Sequence, residues 1–364
     1  MNVEKINDLN EIFFPNLNWR FHVDSTAFSI GSFGIQWYSL IIVTGIMLAM
    51  LYCFPRMKKF GIDSDRAADA VIGGVIGGII GARAYYVIWN WEEYQGDIKA
   101  ILNTRNGGLA IYGGIIGALI VGLTICKIRK VKFLPMLDIV SIGFLIGQGV
   151  GRWGNFTNQE AFGTNTDSLF AMTGGTIQNT ILRMGNPELA WDKAVHPCFL
   201  YESAWCLLGF LVLAFLSKRR KYDGQVFLMY LAWYGAERFI VEGLRTDSLM
   251  IGNLRVSQLL SALIFLGSVA VQLVMLSKYK RDPEKYILYV RTEESRLLLE
   301  ERRREKIGIS SADAKVSADD EDVSDEFSIL GDDDDYEEIT DFRETDITEN
   351  ANGETTITED FKEE

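Results

Sequence analysis

The sequence predicts an all-α polytopic membrane protein: seven transmembrane helices, a small external cap, and a cytoplasmic C-terminal extension that is first helical and then disordered. Three observations carry that expectation. Seven stretches are apolar for about 20 residues, the length at which a helix crosses a bilayer. The connections between them alternate between rich and poor in Lys and Arg. The acidity behind the formal net charge of −13 is confined to the tail. From Lys278 to Glu364, 13 Lys+Arg face 29 Asp+Glu, whereas the residues before Lys278 carry 23 basic and 20 acidic groups. Nucleic-acid binding gains no support, because no basic stripe interleaved with aromatics occurs outside short membrane-flanking loops.

Residues 1–33 hold no charged, apolar and cleavage-site pattern of a signal peptide. They read as an amphipathic lead-in, with Phe13, Phe14, Trp19, Phe21, Phe28 and Phe33 lying on the outer interface. A transmembrane domain follows over 34–277, with spans at about 34–54, 67–91, 107–126, 134–151, 197–217, 225–244 and 256–277. Arg56, Lys58, Lys59 and Arg66 occupy the first connection, Lys127, Arg129, Lys130 and Lys132 the third, and Lys218 to Lys221 the fifth. Lys278, Lys280 and Arg281 follow the last span. The positive-inside rule then puts the N-terminus outside and the C-terminus in the cytoplasm. Gly73, Gly77 and Gly81 in the second span, and Gly113, Gly114 and Gly117 in the third, have the small-residue spacing that lets helix backbones approach in lipid. The excursion at 152–196 is the longest external one and reads as the cap.

Asp282-Pro283 has the chemistry of an N-cap and first helical residue, so a charged juxtamembrane helix is expected over 278–307, carrying Leu297, Leu298 and Leu299. Residues 308–364, including Asp332 to Asp335, form an acidic tail too poor in apolar groups to fold. Cys53, Cys126, Cys198 and Cys206 lack metal-ligand spacing and read as small buried thiols. His22 and His196 are the only two histidines, which narrows any acid–base chemistry.

The chemistry concentrates in 143–163, GFLIGQGVGRWGNFTNQEAFG, where an apolar run ends in Arg152, Asn155, Asn158, Gln159 and Glu160. Polar groups at membrane depth are costly unless paired, so such a cluster marks function by default. With orientation fixed and a rise of about 1.5 Å per residue, six spans place polar residues toward the outer leaflet. They are Gln36 and Tyr38; Arg83, Tyr85 and Tyr86; Tyr112; Gln148 and Arg152; His196, Tyr201 and Glu202; and Tyr234, Glu237, Arg238, Glu242 and Arg245. Tyr234, Arg238 and Glu242, at i, i+4 and i+8, share one helix face. The inner halves are nearly plain. A transporter would place such groups at mid-depth, whereas a site confined to one leaflet suits a lipid headgroup. Several arginines suit a phosphate, because guanidinium offers a planar bidentate fork. Each Arg–Glu pairing also reads as an ion pair stapling helices, Glu237 most of all. A phosphatase or phosphotransferase acting on the same headgroups would need a metal cluster or a nucleophilic His, Ser or Asp set, hard to assemble with two histidines.

Residues 151–163, GRWGNFTNQEAFG, resemble the signature of the bacterial prolipoprotein diacylglyceryl transferases. The resemblance extends to FGIQWYS at 33–39, GGLAIYGG at 107–114, HPCFLYE at 196–202 and ERFIVEGLR at 237–245. It implies transfer of the sn-1,2-diacylglyceryl group of phosphatidylglycerol to the lipobox cysteine in the signal peptide of a prolipoprotein. A thioether forms and glycerol phosphate leaves, in the bilayer of the bacterial cell membrane, without a metal or organic cofactor. Arg152, Asn155, Glu160 and Gly163 match the signature's functional positions. Tyr38, Glu202, Tyr234, Arg238, Glu242 and Arg245 match further positions implicated in lipid binding or catalysis. One departure stands out: the glycine-flanked position often held by His is Tyr112 here. The reading that follows has Arg152 and Arg238 gripping the phosphodiester, Glu242 or Tyr112 relaying the thiol proton, and Arg245 helping to hold the headgroup.

Overall fold

The long apolar runs fold as helices, and the polar connections between them as short strands and turns. The computed structural model describes residues 3–31, 33–104, 107–246, 250–252, 254–307, 347–349 and 355–357. It divides into two units, Met1–Arg303 and Arg304–Glu364. The first unit begins with β1 (Glu11–Phe14), β2 (Trp19–His22), β3 (Thr26–Ile30) and β4 (Phe33–Gln36). Then come α1 (Trp37–Arg56), a 3₁₀ turn (Met57–Phe60), α2 (Ser64–Trp89), α3 (Trp91–Tyr94), α4 (Ile98–Leu102), α5 (Ile111–Ile128) and α6 (Phe133–Asn158). β5 (Thr173–Gly174), α7 (Gly175–Met184), α8 (Cys198–Ser217), α9 (Gln225–Leu244), β6 (Met250–Ile251), β7 (Leu254–Arg255) and α10 (Val256–Arg281) follow. 3₁₀ turns at Pro283–Tyr286 and Tyr289–Arg291 lead to α11 (Glu293–Ile307). In the second unit, β8 (Ile347–Glu349) pairs antiparallel with β9 (Thr355–Ile357).

Six of the described helical segments are long and apolar enough to cross a membrane: Trp37–Phe60, Ser64–Trp89, Ile111–Ile128, Phe133–Asn158, Cys198–Ser217 and Val256–Arg281. α9 has the length but carries Glu237, Arg238 and Glu242 in its second half. Apolar side chains point outward where a water-soluble bundle would present charge: Leu51 is 72% exposed, Ile80 63% and Ile111 75%. Surface of that kind needs lipid against it. The chain is a polytopic membrane protein.

Two sets of helices form the bundle. α6 lies centrally, packed on α1, α8 and α9, with α10 against α9, while α2 pairs with α5. The α2–α5 contact is backbone on backbone: a Cβ built on Gly117 would stand 2.2 Å from the Gly77 carbonyl oxygen, and one on Gly81 2.4 Å from that of Gly113. The glycine spacing therefore serves close packing, as its pattern predicts. Met57, Ile139, Ile142, Leu145 and Leu213 are buried in the core of the main set.

The structure departs from the sequence reading at three places that matter for the site. First, α6 does not stop near 151 but continues helically through Arg152 and Asn155 to Asn158. Its polar end is covered by protein: Gly154 is buried, with a Cβ there only 2.6 Å from the Tyr38 ring. Gln159 then ends the helix in the left-handed region at φ 52°. Second, the lead-in and the excursion that follows α6 form one cap, in a sheet of order β2–β1–β5. Strand alternation turns Ile12 and Phe14 into a core with Phe162, Met172, Ile177 and Val195. Phe14 thus lies inside the cap, while Trp19, Phe21 and Phe28 remain exposed. Gln159 stitches the cap together: its Nε2 donates to the Leu9 carbonyl (2.6 Å), and its Oε1 accepts from Thr176 N (3.1 Å). Third, Asp282 and Pro283 open only a 3₁₀ turn, and α11 begins at Glu293. The intervening residues turn back to bury Leu288 and Tyr289. The tail expected to be disordered at 308–364 lies outside the described residues, except for the β8 and β9 strands.

Candidate active site

Three helices deliver charge to one place. Glu202, in the second turn of α8, is 1% exposed and faces two guanidinium groups. Arg152 Nη1 from α6 lies 3.1 Å from its Oε2, and Arg238 Nη1 from α9 lies 3.4 Å from its Oε1. Arg238 also reaches Glu242 Oε2 through Nη2 at 2.5 Å, one helical turn along the same face. Burying a carboxylate costs several kcal/mol before pairing, and two are buried here. A bundle needing only cohesion would do as well with apolar side chains at these positions. The arrangement instead holds two forked cations in fixed orientation.

The surroundings reinforce that geometry. Ser203 Oγ donates to the Gly149 carbonyl (2.8 Å) and accepts from Trp153 Nε1 (3.2 Å), pinning α8 to α6 beside Glu202. Glu237, buried on α9, lies against the Cys206 thiol at 3.8 Å. Tyr234 stacks on Tyr230, whose hydroxyl accepts from Gln148 Nε2 at 2.9 Å. Gln148, Arg152 and Asn155 all line an apolar cavity of about 400 Å³ between α1, α2 and α6. Tyr38 lines the same end, and Phe54, Met57 and Val71 line the other. The ion-pair cluster thus stands beside the polar end of a channel otherwise walled by hydrocarbon.

The remaining expected residues have distinct placements. Asn155 Nδ2 donates to Glu160 Oε1 at 2.9 Å, so Glu160 orients an amide at the cavity rim. Gly163 is buried where a Cβ would meet His196 Cβ at 2.8 Å and the Leu244 carbonyl at 3.0 Å. It bridges Arg245 across an antiparallel contact, fastening the end of α9 beneath the cap. Tyr112 is not brought to the cluster: it stands 55% exposed at the start of α5, a helix packed chiefly on α2. Arg83 is not either. Its guanidinium donates to the carbonyls of Ala100 (2.6 Å), Ile101 (2.8 Å), Gly107 (3.2 Å) and Gly108 (2.8 Å), closing the α2–α5 connection. His196 Nδ1 lies 3.3 Å from the Tyr201 hydroxyl, and burial pushes its pKa below the ordinary histidine value.

Two contributors escaped the sequence reading. Arg255 donates through Nη1 to the carbonyls of Glu242 and Arg245, the latter at 3.1 Å, and so caps α9 where the cluster ends. Its partners are backbone oxygens, which no side-chain spacing reveals. Asp138, fully buried at the opposite end of α6, accepts from Gly224 N (2.8 Å) and Phe227 N (2.9 Å) at the start of α9. A carboxylate at a helix N-terminus is favourably placed against the helix dipole. That half of the bundle is therefore less plain than its apolar runs suggest.

Residues 25–274 match the family described as prolipoprotein diacylglyceryl transferase. The chain belongs to this family. Among curated relatives, the phosphatidylglycerol–prolipoprotein diacylglyceryl transferase of Finegoldia magna is 43% identical over 261 residues, covering 71% of this chain and 97% of the relative. Proteins of the same name from Listeria innocua, 38% identical over 266 residues (73% and 94%), and Bacillus cereus, 41% over 254 residues (70% and 91%), are also similar. The Arg152–Glu202–Arg238–Glu242 cluster, and every lining residue of the cavity, falls within the stretch matched to the diacylglyceryl transferase family.

Proposed function

We propose that this chain transfers the diacylglyceryl group of phosphatidylglycerol to the lipobox cysteine of prolipoproteins, the first step of lipoprotein maturation. The observation that carries this reading is the ion-pair cluster joined to a hydrocarbon-lined cavity. An acyl chain fits the cavity, and a phosphodiester at its rim meets Arg152. Seven spans, with α9 as the sixth of them, and an external N-terminus put this rim at the outer leaflet, where exported precursors arrive.

Arg152 and Arg238 grip the phosphodiester, and Glu202 positions them by engaging both. Asn155, oriented by Glu160, and Tyr38 hold the glyceryl region, with Tyr234 and Arg245 completing the headgroup pocket. Gly163 keeps α9 seated beneath the cap. The cysteine sulfur forms a C–S bond to the terminal glyceryl carbon as its C–O bond to phosphate breaks. Glycerol phosphate departs with the electron pair, and the thiol proton passes to a base. Glu242 is the better candidate for that base, because it belongs to the cluster while Tyr112 stands apart on α5. The guanidinium groups stabilise charge that develops on the leaving phosphate, the kind of contact worth about 10²–10³ in rate.

The test uses purified protein in phosphatidylglycerol liposomes with a lipobox peptide. A diacylglyceryl mass increment on the peptide cysteine, with glycerol phosphate released, is expected. Release of inorganic phosphate, or no increment, would sink the reading.

A further inference from the structure

Beyond the family-matched residues 25–274, the chain continues past α10 and returns to the bundle. Leu288 and Tyr289 are buried there, and Ser295 is fully buried. Ser295 Oγ donates to the Gly61 carbonyl (3.0 Å), and Tyr289 N donates to Asp223 Oδ2 (2.8 Å). Lys132 Nζ pairs with Glu294 Oε2 (3.0 Å), and Arg302 Nε lies 3.5 Å from Asp63 Oδ1. One segment therefore ties together the α1–α2, α5–α6 and α8–α9 connections. The exposed Lys132–Glu294 pair is worth about 1 kcal/mol or less. The buried Leu288, Tyr289 and Ser295, with the buried Asp63 carboxylate facing Arg302, hold the segment in place.

The contact bears on the cavity. Gly61, at φ +77°, touches the segment through its backbone: a Cβ there would stand 2.4 Å from Ser295 Oγ and 2.8 Å from Val290 Cα. The 3₁₀ turn Met57–Phe60 leads directly into it, and Ile62 N donates back to the Met57 carbonyl (3.1 Å). The fully buried Met57, with Phe54, lines the cavity end farthest from Arg152. From the other side, the Arg220 guanidinium sits 3.9 Å over the Phe60 ring and donates to the Lys59 carbonyl (2.9 Å). From Tyr38 to Met57 the cavity wall on α1 runs about 28 Å at 1.5 Å per residue.

We infer that residues 288–302 form a clasp that fixes the far end of this cavity and so sets which acyl-chain lengths the enzyme accepts. The inference rests on the proposed reading of the cavity as the acyl-chain site. The residues of the clasp are positioning residues: they hold the turn and the Gly61 backbone that follow from Met57 in the end wall, and do not touch the substrate.

The experiment is a competition in liposomes among phosphatidylglycerols of graded acyl length, with a lipobox peptide as acceptor and the full-length chain as enzyme. Selectivity is read as the ratio of kcat/KM between chains that fit and longer ones. Ser295→Arg places a charge where no solvent reaches and unseats the clasp; it is expected to cut that ratio about tenfold, the discrimination that small length differences in an apolar pocket support. Ser295→Ala, which keeps the segment seated, is expected to keep the ratio. Should Ser295→Arg fail to accumulate, Leu288→Ser weakens the burial of the same segment and carries the same expectation. A loss of rate equal for all lengths, or an unchanged ratio, overturns the clasp. No transfer by the unmodified protein from any lipid overturns the transferase reading itself, which separates the two failures.

Discussion

Glu202 is the residue on which the site's geometry turns, because a single buried carboxylate engages two guanidinium groups from different helices. Glu202→Gln keeps the shape but removes the charge that orients both. Transfer is expected to fall about 10²-fold or more, as after loss of a preorganised electrostatic contact. Arg152→Ala and Arg238→Ala should each cost about 10²–10³, measured as lipidated peptide per amount of folded protein. Tyr112→Phe is expected to retain most activity, whereas Glu242→Gln should not; the reverse result would move the proton relay to α5. His196 is half-buried and its pKa is depressed by desolvation, so the folded state prefers the neutral ring. Its contribution to stability is present above the unfolded value of about 6.5 and is lost on acidification below it. His196→Gln should flatten that part of the pH–stability profile. At this scale much was legible. The i, i+4, i+8 face of α9 and the arginine of the signature are visible as spacing and charge. That Arg83 stays apart from the cluster was not legible, because a cation satisfied by four carbonyls looks in sequence the same as one awaiting an anion.

Helices were legible wherever apolar length decided them, and illegible where burial by other protein replaced lipid. The polar end of α6 reads as a loop after Arg152, yet contact with Tyr38 and the cap keeps it helical to Asn158. The strands of the lead-in were invisible for a related reason: β1 is ordered by pairing with β5, which lies some 160 residues later in the chain. The α2–α5 pair was readable from its glycines alone. Gly117→Val would drive a side chain into the Gly77 backbone, and overpacking of this sort costs about 1–3 kcal/mol. Thermal unfolding in detergent should show a lowered midpoint, while Ile120→Val on the exposed face of α5 should leave it unchanged.

Across the whole molecule, the alternation of basic connections gives the expected orientation, and labelling can check it. The four native cysteines are buried, so their background is low. Asn186→Cys in the cap should react with a membrane-impermeant thiol reagent in intact cells, and Lys221→Cys only after permeabilisation. The reverse pattern would invert the topology. The clasp could not be seen in the sequence at all, since Leu288, Tyr289 and Ser295 form no periodic face and acquire meaning only against loops far away in the chain. The Arg152–Glu202–Arg238–Glu242 contact also has a consequence for turnover. Two cations and two carboxylates leave no standing positive surplus. A water-soluble phosphate finds little to attract it there, and only an anion anchored by its own hydrocarbon stays long. Once the C–O bond breaks, the freed glycerol phosphate has lost that anchor, and product inhibition by it should be weak.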